Sequence, residues 1–327
     1  MATDRPLVIL AGPTHADGVA NLEREARVIQ CDEEIEGPFL EVAAAADGIL
    51  FRTKPRCTES LMAACKRLKV VGRHGVGLDT VDLPAATRLG VAVVHAPGSN
   101  SQAVAEHALM LMLMCAKRAR QIDKWTREGD WQARRGGNIE LEGKALGIVG
   151  VGNVGRRVAK FAAAFGMRVL GYDPYVPAEE LKRRGVEPQA SLDAMLPHVD
   201  FLTCHTPLTD ETRAMINEAR LTLMKKGAIF VNTSRGPVQQ ERALFEALTR
   251  GHLAAAGLDV FEEEPTSRDN PLLNLDNVVV SSHVAGVTAE AHRTASMQVT
   301  SEMLRVLRGE RPHVLANPDV WPRVGIR

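Results

Sequence analysis

The amino-acid sequence predicts an α/β protein with two domains, each a doubly wound parallel sheet, one domain being inserted into the other. Three observations lead to this fold class. Short apolar runs alternate with segments of helical spacing through about the first 98 residues. A second alternating series begins near Ala145, and the last helical segment, from Ala289, has no strand partner near it in sequence. We therefore expect residues 1–98 and 289–327 to form one discontinuous domain, and residues 99–288 to form the inserted domain.

The first domain is predicted to contain five parallel strands separated by four helices. Apolar runs bounded by turns place the strands at residues 7–11, 27–31, 48–51, 68–72 and 91–94. Helical spacing of apolar residues places the helices at residues 15–26, 41–46, 60–67 and 83–89.

A long helix and a polar arm are predicted between the two alternating series. The helix runs from about Gln102 to Ala119, and its apolar stretch is interrupted by Glu106 and His107. That interruption indicates a buried helix rather than a membrane span. The following residues, 120–142, are more polar, include Trp131, and predict no strand.

The inserted domain is predicted to have six strands, the number found in the doubly wound nucleotide-binding fold. The strands are placed at residues 145–149, 167–172, 201–205, 228–232, 255–260 and 278–281. Helices are expected at residues 156–165, 191–196, 213–224 and 241–250, and the returning helix at residues 289–307.

The overall composition argues against several classes of function. The 327 residues include 40 Lys plus Arg and 40 Asp plus Glu, so no net charge favours nucleic acid or an anionic membrane. Aromatic residues make up only 4%, which argues against stacking platforms for single strands. A hydrophobic fraction of 45% is typical of a soluble globular protein. We expect no nucleic-acid partner and no membrane partner.

The five cysteines are scattered and form no C-x-x-C pair. This pattern favours buried free thiols in a reducing cytosol over a redox or metal site. The amino terminus, MATDRPLVIL, is too polar and too short for a signal peptide. We therefore expect a cytoplasmic protein without a metal ion.

A glycine-rich turn joins the first strand of the inserted domain to its first helix. It reads Gly150-Val-Gly152-Asn-Val-Gly155, and Asp173 ends the next strand about 18 residues later. Gly150 suits the tight turn, Gly152 lets a pyrophosphate approach the backbone, and Gly155 lets helix and strand pack closely. Asp173 is placed to accept hydrogen bonds from a ribose, and its charge disfavours a 2′-phosphate. A turn without a ligand is the alternative, but this context favours an NAD site.

Three loops with reactive side chains follow three successive strands of the inserted domain. They contain Arg235, Glu264 and His283, and ligands of open α/β sheets bind beyond these carboxyl ends. Arg235 can grip a substrate carboxylate through two parallel hydrogen bonds. His283 can exchange a proton while hydride moves at carbon, and Glu264 can hold its other ring nitrogen.

Each of these three assignments has a structural alternative. Arg235 could simply end its strand and pair with an acid. The run Glu262, Glu263 and Glu264 could be a solvated loop, and His283 could be a core histidine. Their expected convergence at one sheet edge favours catalytic roles.

With these motifs the sequence resembles the D-isomer-specific 2-hydroxyacid dehydrogenases, close to their D-3-phosphoglycerate dehydrogenase branch, over nearly the whole chain. The matching motifs are residues 73–82, 100–106, 150–155 with Asp173, 205–209, 232–236, 257–265 and 283–286. The resemblance implies a Rossmann NAD-binding domain inserted into a flavodoxin-like substrate domain. It also implies hydride transfer between NADH and a 2-keto acid such as 3-phosphohydroxypyruvate, hydroxypyruvate or glyoxylate.

The resemblance implies roles for individual residues as well. Arg235, Glu264 and His283 are implied to be catalytic. The expected cofactor contacts, from the motifs and the resemblance together, are Gly150, Gly152, Asn153, Val154, Gly155, Asp173, His205, Thr206, Pro207, Thr233, Ser234, Asp259, His283 and Gly286. The expected substrate contacts are Arg52, Arg235 and the backbone of His74, Gly75, Val76 and Gly77. The helix from Gln102 and the arm to about residue 142 are implied to build a homodimer.

Substrate identity rests on fewer residues. A phosphorylated substrate needs further cations, and the candidates are Arg52, Lys54, Arg73, Arg134 and Arg135. Trp131 is implied to reach a partner's site, with packing as the alternative. Relatives of the long type carry a C-terminal serine-binding domain, whereas this chain ends at Arg327, so we expect no feedback control by that route.

Two other functions compete with this hypothesis. A corepressor-like interaction protein that senses NAD(H) could keep the same fold and the same three residues, although no disordered tail or peptide groove supports it. A hydride donor of the formate dehydrogenase type is expected to have glutamine in place of Glu264.

Overall fold

The computed structural model describes residues 5–31, 36–52, 54–131 and 136–325, apart from the side chains of residues 36–38. The chain divides into two compact units. One comprises Met1–Asn100 and Val287–Arg327, and the other is Ser101–Gly286. Each division lies two residues from the boundary expected from the sequence.

The first unit contains a five-stranded, fully parallel sheet. Its order is β2-β1-β3-β4-β5, which is the order of flavodoxin-like folds. Its elements are β1 (Leu7–Ala11), α1 (Ala16–Glu23), β2 (Arg27–Cys31), α2 (Glu36–Ala43), β3 (Gly48–Phe51), α3 (Glu59–Ala64), β4 (Val70–Arg73), α4 (Leu83–Arg88), β5 (Ala92–His95) and, after the second unit, α12 (Ala289–Leu307).

Helix α12 completes one face of this sheet. The strands β1 and β3 are buried at every position, as expected for a parallel sheet that is covered on both faces. Val299, Met303 and Leu304 of α12 pack in one cluster with Val8 and Val70 of the sheet. Helix α12 therefore shares a hydrophobic cluster with the strands of the first part of the chain.

The second unit contains a seven-stranded, fully parallel sheet. Its order is β12-β11-β10-β9-β6-β7-β8, the Rossmann order extended by one strand. Its elements are α5 (Ser101–Ala116), α6 (Ala119–Arg127), β6 (Ala145–Val149), α7 (Gly155–Ala164), β7 (Arg168–Tyr172), α8 (Ala178–Arg183), β8 (Glu187–Pro188), α9 (Leu192–Met195), β9 (Phe201–Cys204), α10 (Glu218–Leu223), β10 (Ala228–Asn232), α11 (Glu241–Thr249), β11 (Leu253–Leu258) and β12 (Val278–Val280).

The predicted strand and helix set of this unit was incomplete. The sheet has seven strands rather than six, because the two-residue β8 is too short to leave an apolar run. The helix expected at residues 213–224 begins only at Glu218, since the side chain of Asn217 caps it by accepting from the Arg220 N–H at 3.1 Å. Two further helices, α6 and α8, were not predicted.

Helix α6 was missed because its composition is polar. Only Ala119, Ile122 and Trp125 of its nine residues are apolar, and none of its residues is buried. Local contacts stabilise it instead: Arg127 donates to Asp123 one turn earlier, and the Arg118 guanidinium stacks 5.0 Å above the Trp125 ring.

The described helices include none that is both long enough and apolar enough to cross a bilayer. All five cysteines are free thiols, and four of them are buried. Among the residues that the structure describes, no group of three or more His, Cys, Asp or Glu side chains could hold a metal ion.

Candidate active site

The carboxyl ends of β10, β11 and β12 lie side by side in the second sheet. The loops that follow these strands carry Arg235, Glu264 and His283, respectively. The parallel register therefore brings the three predicted side chains to one edge of the sheet, although they come from segments separated by about 20 to 30 residues.

His283 and Glu264 form a direct hydrogen-bonded pair. The Nδ1 atom of His283 lies 2.7 Å from Oε2 of Glu264, and the other carboxylate oxygen accepts from the Phe261 N–H at 3.1 Å. Burial raises the pKa of Glu264, but the hydrogen bonds from His283 and Phe261, with the charges of His283 and Arg235, outweigh it and lower the pKa overall. An ionised carboxylate only accepts hydrogen bonds, so Nδ1 carries a proton.

The second ring nitrogen of His283 is left for a ligand. Within the part of the chain that the structure describes, no protein group forms a hydrogen bond with Nε2, and the side chain is 46% exposed. The His283 backbone has a φ of 56°, in the left-handed region that non-glycine residues rarely adopt. Such a conformation persists only where the surroundings hold it, which is common at functional sites.

Asp259 holds the His283 backbone in this conformation. It directly follows β11 and is 1% exposed. Its backbone oxygen accepts from the His283 N–H at 2.7 Å, while its carboxylate accepts from the N–H groups of Val284 and Ala285, both at 2.9 Å. The cofactor contact that the resemblance implied for Asp259 stays a prediction, and in the structure its carboxylate binds the loop that carries His283.

Arg235 lies in a tightly bonded turn after β10. Its Nη1 donates to the Ser234 carbonyl at 2.7 Å, and its charge contributes to the lowered pKa of Glu264. Buried Asn232 organises the turn, because its amide nitrogen donates to the Arg235 carbonyl at 3.0 Å. The Asn232 carbonyl oxygen accepts from both the N–H and the hydroxyl of Ser234. The motif containing Asn232 was recognised in the sequence, but this bracing role was not assigned.

The glycine-rich turn after β6 fits a dinucleotide pyrophosphate. Gly150 has a φ of 85°, which favours glycine. A Cβ on Gly155 would collide with the Gly150 carbonyl, whereas one on Gly152 would meet no atom of the described residues within 4 Å. Asn153 and Val154 lie in the turn between them, and Val154, just before α7, has no side chain that could cap the first N–H groups. The helix N-terminus is therefore left for an anion.

Asp173 directly follows β7, and backbone N–H groups orient both of its carboxylate oxygens. One oxygen accepts from the Val151 N–H at 2.9 Å and the other from the Tyr175 N–H at 3.0 Å. Each carboxylate oxygen can accept a second hydrogen bond, so the group retains acceptors for ribose hydroxyls. This arrangement fits the role predicted for Asp173.

The segment after β9 adds a second wall to the predicted cofactor site. His205 lies between the hydroxyls of Thr203 and Thr233, at 3.1 and 3.3 Å. Burial lowers the pKa of His205 to about 3, so its imidazole is neutral near pH 7. The buried hydroxyl of Thr206 has no hydrogen-bond partner among the described residues, which indicates that a ligand supplies one. Pro207 is exposed, and its carbonyl accepts from Thr212 at 2.7 Å.

In the first unit, the loop after β4 presents backbone rather than the His74 side chain. His74 is 4% exposed, and its Nε2 lies 2.7 Å from the Ser296 hydroxyl of α12. Burial, with His292 and Arg52 adding to it, lowers the pKa of His74 to about 4. Gly75 has a φ of 135°, and the Val76 carbonyl is 3.0 Å from Nδ1 of His95. The backbone through Gly77 therefore remains the candidate carboxylate site of this unit.

Most of the remaining residues predicted to contact a substrate, cofactor or partner lie in the part of the chain that the structure describes. Arg52 follows β3 and is half-buried, Lys54 is exposed, and Nη1 of Arg73 donates to the His74 carbonyl. Gly286 is the last residue of the second unit, and Trp131 is 69% exposed. The proposed phosphate contacts Arg134 and Arg135 lie outside the described residues.

Comparisons with known proteins agree with this arrangement. Residues 109–285 match the NAD-binding domain of the D-isomer specific 2-hydroxyacid dehydrogenases. The chain is 41% identical to a D-3-phosphoglycerate dehydrogenase of Methanocaldococcus jannaschii, with 97% of this chain and 60% of that relative covered. It therefore spans about three fifths of the length of that relative.

Two further relatives are covered almost completely. A hydroxypyruvate reductase of Thermotoga maritima is 37% identical over 88% of this chain and 96% of its own length. The crystal structure of D-lactate dehydrogenase from Aquifex aeolicus, complexed with NAD and lactic acid, matches with a TM-score of 0.80 and 30% identity, covering 93% and 96% of the two chains. Fold, cofactor loops and sequence similarity thus lead to one conclusion: this chain belongs to the D-isomer specific 2-hydroxyacid dehydrogenase family, whose nucleotide domain binds NAD.

Proposed function

We propose that the protein interconverts a small D-2-hydroxy acid and its 2-keto acid with NAD as the cofactor. The observation that carries the proposal is the His283–Glu264 pair, 2.7 Å long, at the sheet edge that also holds Arg235 and the dinucleotide loops. A proton donor, an anion-binding guanidinium and a nicotinamide site are the three components that reduction of a keto acid requires.

His283 is the proton donor in this proposal. When NADH is bound, it supplies hydride to the carbonyl carbon of the keto acid. The Nε2–H of protonated His283 then passes its proton to the carbonyl oxygen, which becomes the hydroxyl of the product. Glu264 keeps Nδ1 protonated and stabilises the imidazolium before transfer, since its lowered pKa keeps it ionised.

Arg235 binds the negative end of the substrate. A guanidinium forms two parallel hydrogen bonds with a carboxylate, which fixes the orientation of the neighbouring carbonyl. Asn232 and Ser234 restrain the backbone on either side of the Arg235 turn, so little freedom is lost when the substrate binds.

We infer that the substrate is a two- or three-carbon keto acid such as glyoxylate, hydroxypyruvate or 3-phosphohydroxypyruvate. The relatives named as D-3-phosphoglycerate dehydrogenase and hydroxypyruvate reductase support this range. Arg52 favours the phosphorylated compound, because it is a half-buried cation at the carboxyl edge of the first sheet whose charge acts on His74.

Initial rates of NADH and NADPH oxidation against a panel of keto acids test the function. The panel contains 3-phosphohydroxypyruvate, hydroxypyruvate, glyoxylate, pyruvate and sulfopyruvate. We expect NADH to be preferred, because the carboxylate of Asp173 repels a 2′-phosphate. Binding of NADH without turnover of any keto acid would contradict the proposal and favour the corepressor-like alternative.

We also propose a homodimer formed by α5 and the arm that follows it. Met110 of α5 and Trp131 of the arm are 41% and 69% exposed, and large exposed apolar side chains on one segment are typical of an association surface. Sedimentation equilibrium should give twice the 35.5 kDa chain mass. A monomer at micromolar concentration would exclude this assembly.

A further inference from the structure

A line of hydrogen bonds runs from the long helix α5 to the loop of His283. Nε2 of His107 lies 2.8 Å from the Ser281 hydroxyl, and that hydroxyl donates to Oδ1 of Asp259 at 2.6 Å. Asp259 in turn accepts from the N–H groups of His283, Val284 and Ala285. All these residues belong to the second unit.

Each hydrogen bond in this line is donated towards Asp259. A hydroxyl has a single proton, and that of Ser281 is given to the carboxylate of Asp259. At its contact with His107 the Ser281 oxygen can therefore only accept, so Nε2 of His107 carries a proton. A proton on Nε2 of His107 thus sets the orientation of the Ser281 hydroxyl. The hydroxyl in turn holds Oδ1 of Asp259 in position.

The Asp259 carboxylate is almost fully committed to this task. A carboxylate accepts about four hydrogen bonds, and three are accounted for by Ser281, Val284 and Ala285. Asp259 is 1% exposed, so water cannot readily take the place of a hydrogen-bond donor that is lost, and such a loss destabilises the carboxylate. Asp259 therefore supports the left-handed backbone of His283 only while its own orientation is maintained.

We propose that His107 and Ser281 are positioning residues of the reaction, acting through Asp259 to hold the His283 imidazole between Glu264 and the substrate. The proposal rests on the dehydrogenase function argued above. It assigns a role in the chemistry to His107, a polar side chain of a mostly apolar helix, without any contact between His107 and substrate or cofactor.

Paired substitutions separate positioning from simple packing. Ser281→Ala removes the hydroxyl and Ser281→Thr keeps it, while Ser282→Ala changes the exposed neighbouring serine as a matched control. His107→Leu removes the donor, whereas His107→Gln can still donate from its amide. We expect S281A and H107L to lower kcat about fivefold, the factor that corresponds to one lost hydrogen bond. The KM for NADH should stay within about twofold, and S281T, H107Q and S282A should resemble the wild type.

A second measurement does not depend on turnover. Nitrogen-15 NMR of labelled histidine in the protein without added nucleotide reports the Nδ1–H of His283 bonded to Glu264. In S281A and H107L this signal should shift towards a mixture of tautomers, while the thermal midpoint records any loss of fold.

The outcomes distinguish the two proposals. Wild-type kcat together with an unchanged His283 signal in both S281A and H107L would overturn the positioning role. A loss of activity in H107Q equal to that in H107L would also overturn it, because the donor would then be irrelevant. If the wild type reduces no keto acid, the function fails instead, and the NMR signal still tests the hydrogen-bond line.

Discussion

The two parallel sheets present opposite chemistry at their carboxyl edges. At the edge of the second sheet, His283 is 46% exposed and pairs with a carboxylate. At the edge of the first sheet, His74 is 4% exposed and faces the neutral hydroxyl of Ser296. The imidazole of His283 therefore has a carboxylate partner and solvent access, while that of His74 is buried and neutral, with its pKa lowered to about 4.

This difference shows that similar positions after parallel strands give the two histidines different chemistry, because their hydrogen-bond partners and burial differ. Both histidines follow a parallel strand, and both are stabilised by a residue from a distant segment. Burial beside a hydroxyl and a further histidine disfavours the imidazolium of His74, whereas the His283 ring can donate a hydrogen bond to a carboxylate and is open to solvent. The first edge is therefore suited to present backbone to a substrate, and the second to move a proton.

The largest expected effect is the loss of the proton donor at the second edge. His283→Asn should reduce kcat/KM for keto-acid reduction by about a thousandfold, the usual contribution of a general acid. Asparagine tolerates the left-handed backbone, so the loop conformation is retained. His198→Asn, at an exposed histidine on the opposite edge of the same sheet, is the matched control. Steady-state rates above one tenth of the wild-type value would remove His283 from the mechanism.

A smaller effect is expected from the partner of that histidine. Glu264→Gln should lower kcat about tenfold, because a neutral amide stabilises the imidazolium less than a carboxylate does. Glu263→Gln removes the same charge from the same loop and should leave kcat unchanged. Equal kcat values for E264Q and the wild type would disprove the coupling.

The smallest expected effect is one of stability at the first edge. The pKa of His74 is about 4 when folded, against an ordinary value of 6.5, so the unfolded chain binds more protons between these pH values. Its contribution is complete above pH 6.5 and is lost as pH falls towards 4. Lowering the pH from 7 to 5 should therefore cost about 2 kcal/mol from this group.

Urea unfolding of His74→Gln at the two pH values checks this expectation. Glutamine cannot titrate, so the variant should lose about 2 kcal/mol less than the wild type on acidification. His313→Gln, at an exposed histidine, is the control and should retain the wild-type pH dependence. Equal losses in H74Q and the wild type would mean that His74 is not buried as a neutral group.

The sequence allowed the sheet edge to be predicted, because strand ends are marked by apolar runs and parallel strands share one carboxyl edge. It could not give the direction of a side chain. Asp259 was placed within the strand predicted at residues 255–260, whereas the strand ends at Leu258 and the Asp259 carboxylate binds the His283 loop. Glu264 and Glu262 look alike in the acidic run, but Glu262 accepts from the N–H of Glu241 instead.

Residues that act over a long sequence separation were the hardest to find. His107 was noted only as an interruption of an apolar helix, and its contact with Ser281 spans 174 residues of sequence. No local pattern encodes such a pair. The contact between the Ser296 hydroxyl and His74 was not predicted for the same reason, since 222 residues separate the two in sequence.

The position of α12 has a consequence for how the chain is made. This helix supplies Val299, Met303 and Leu304 to the core of a sheet whose strands end at His95. During synthesis, all of Ser101–Gly286 leaves the ribosome before α12 does, and domains generally fold as units as they emerge. The nucleotide-binding unit can therefore acquire its core first, while one face of the earlier sheet stays uncovered until α12 is made. The amino-terminal unit is the last to mature.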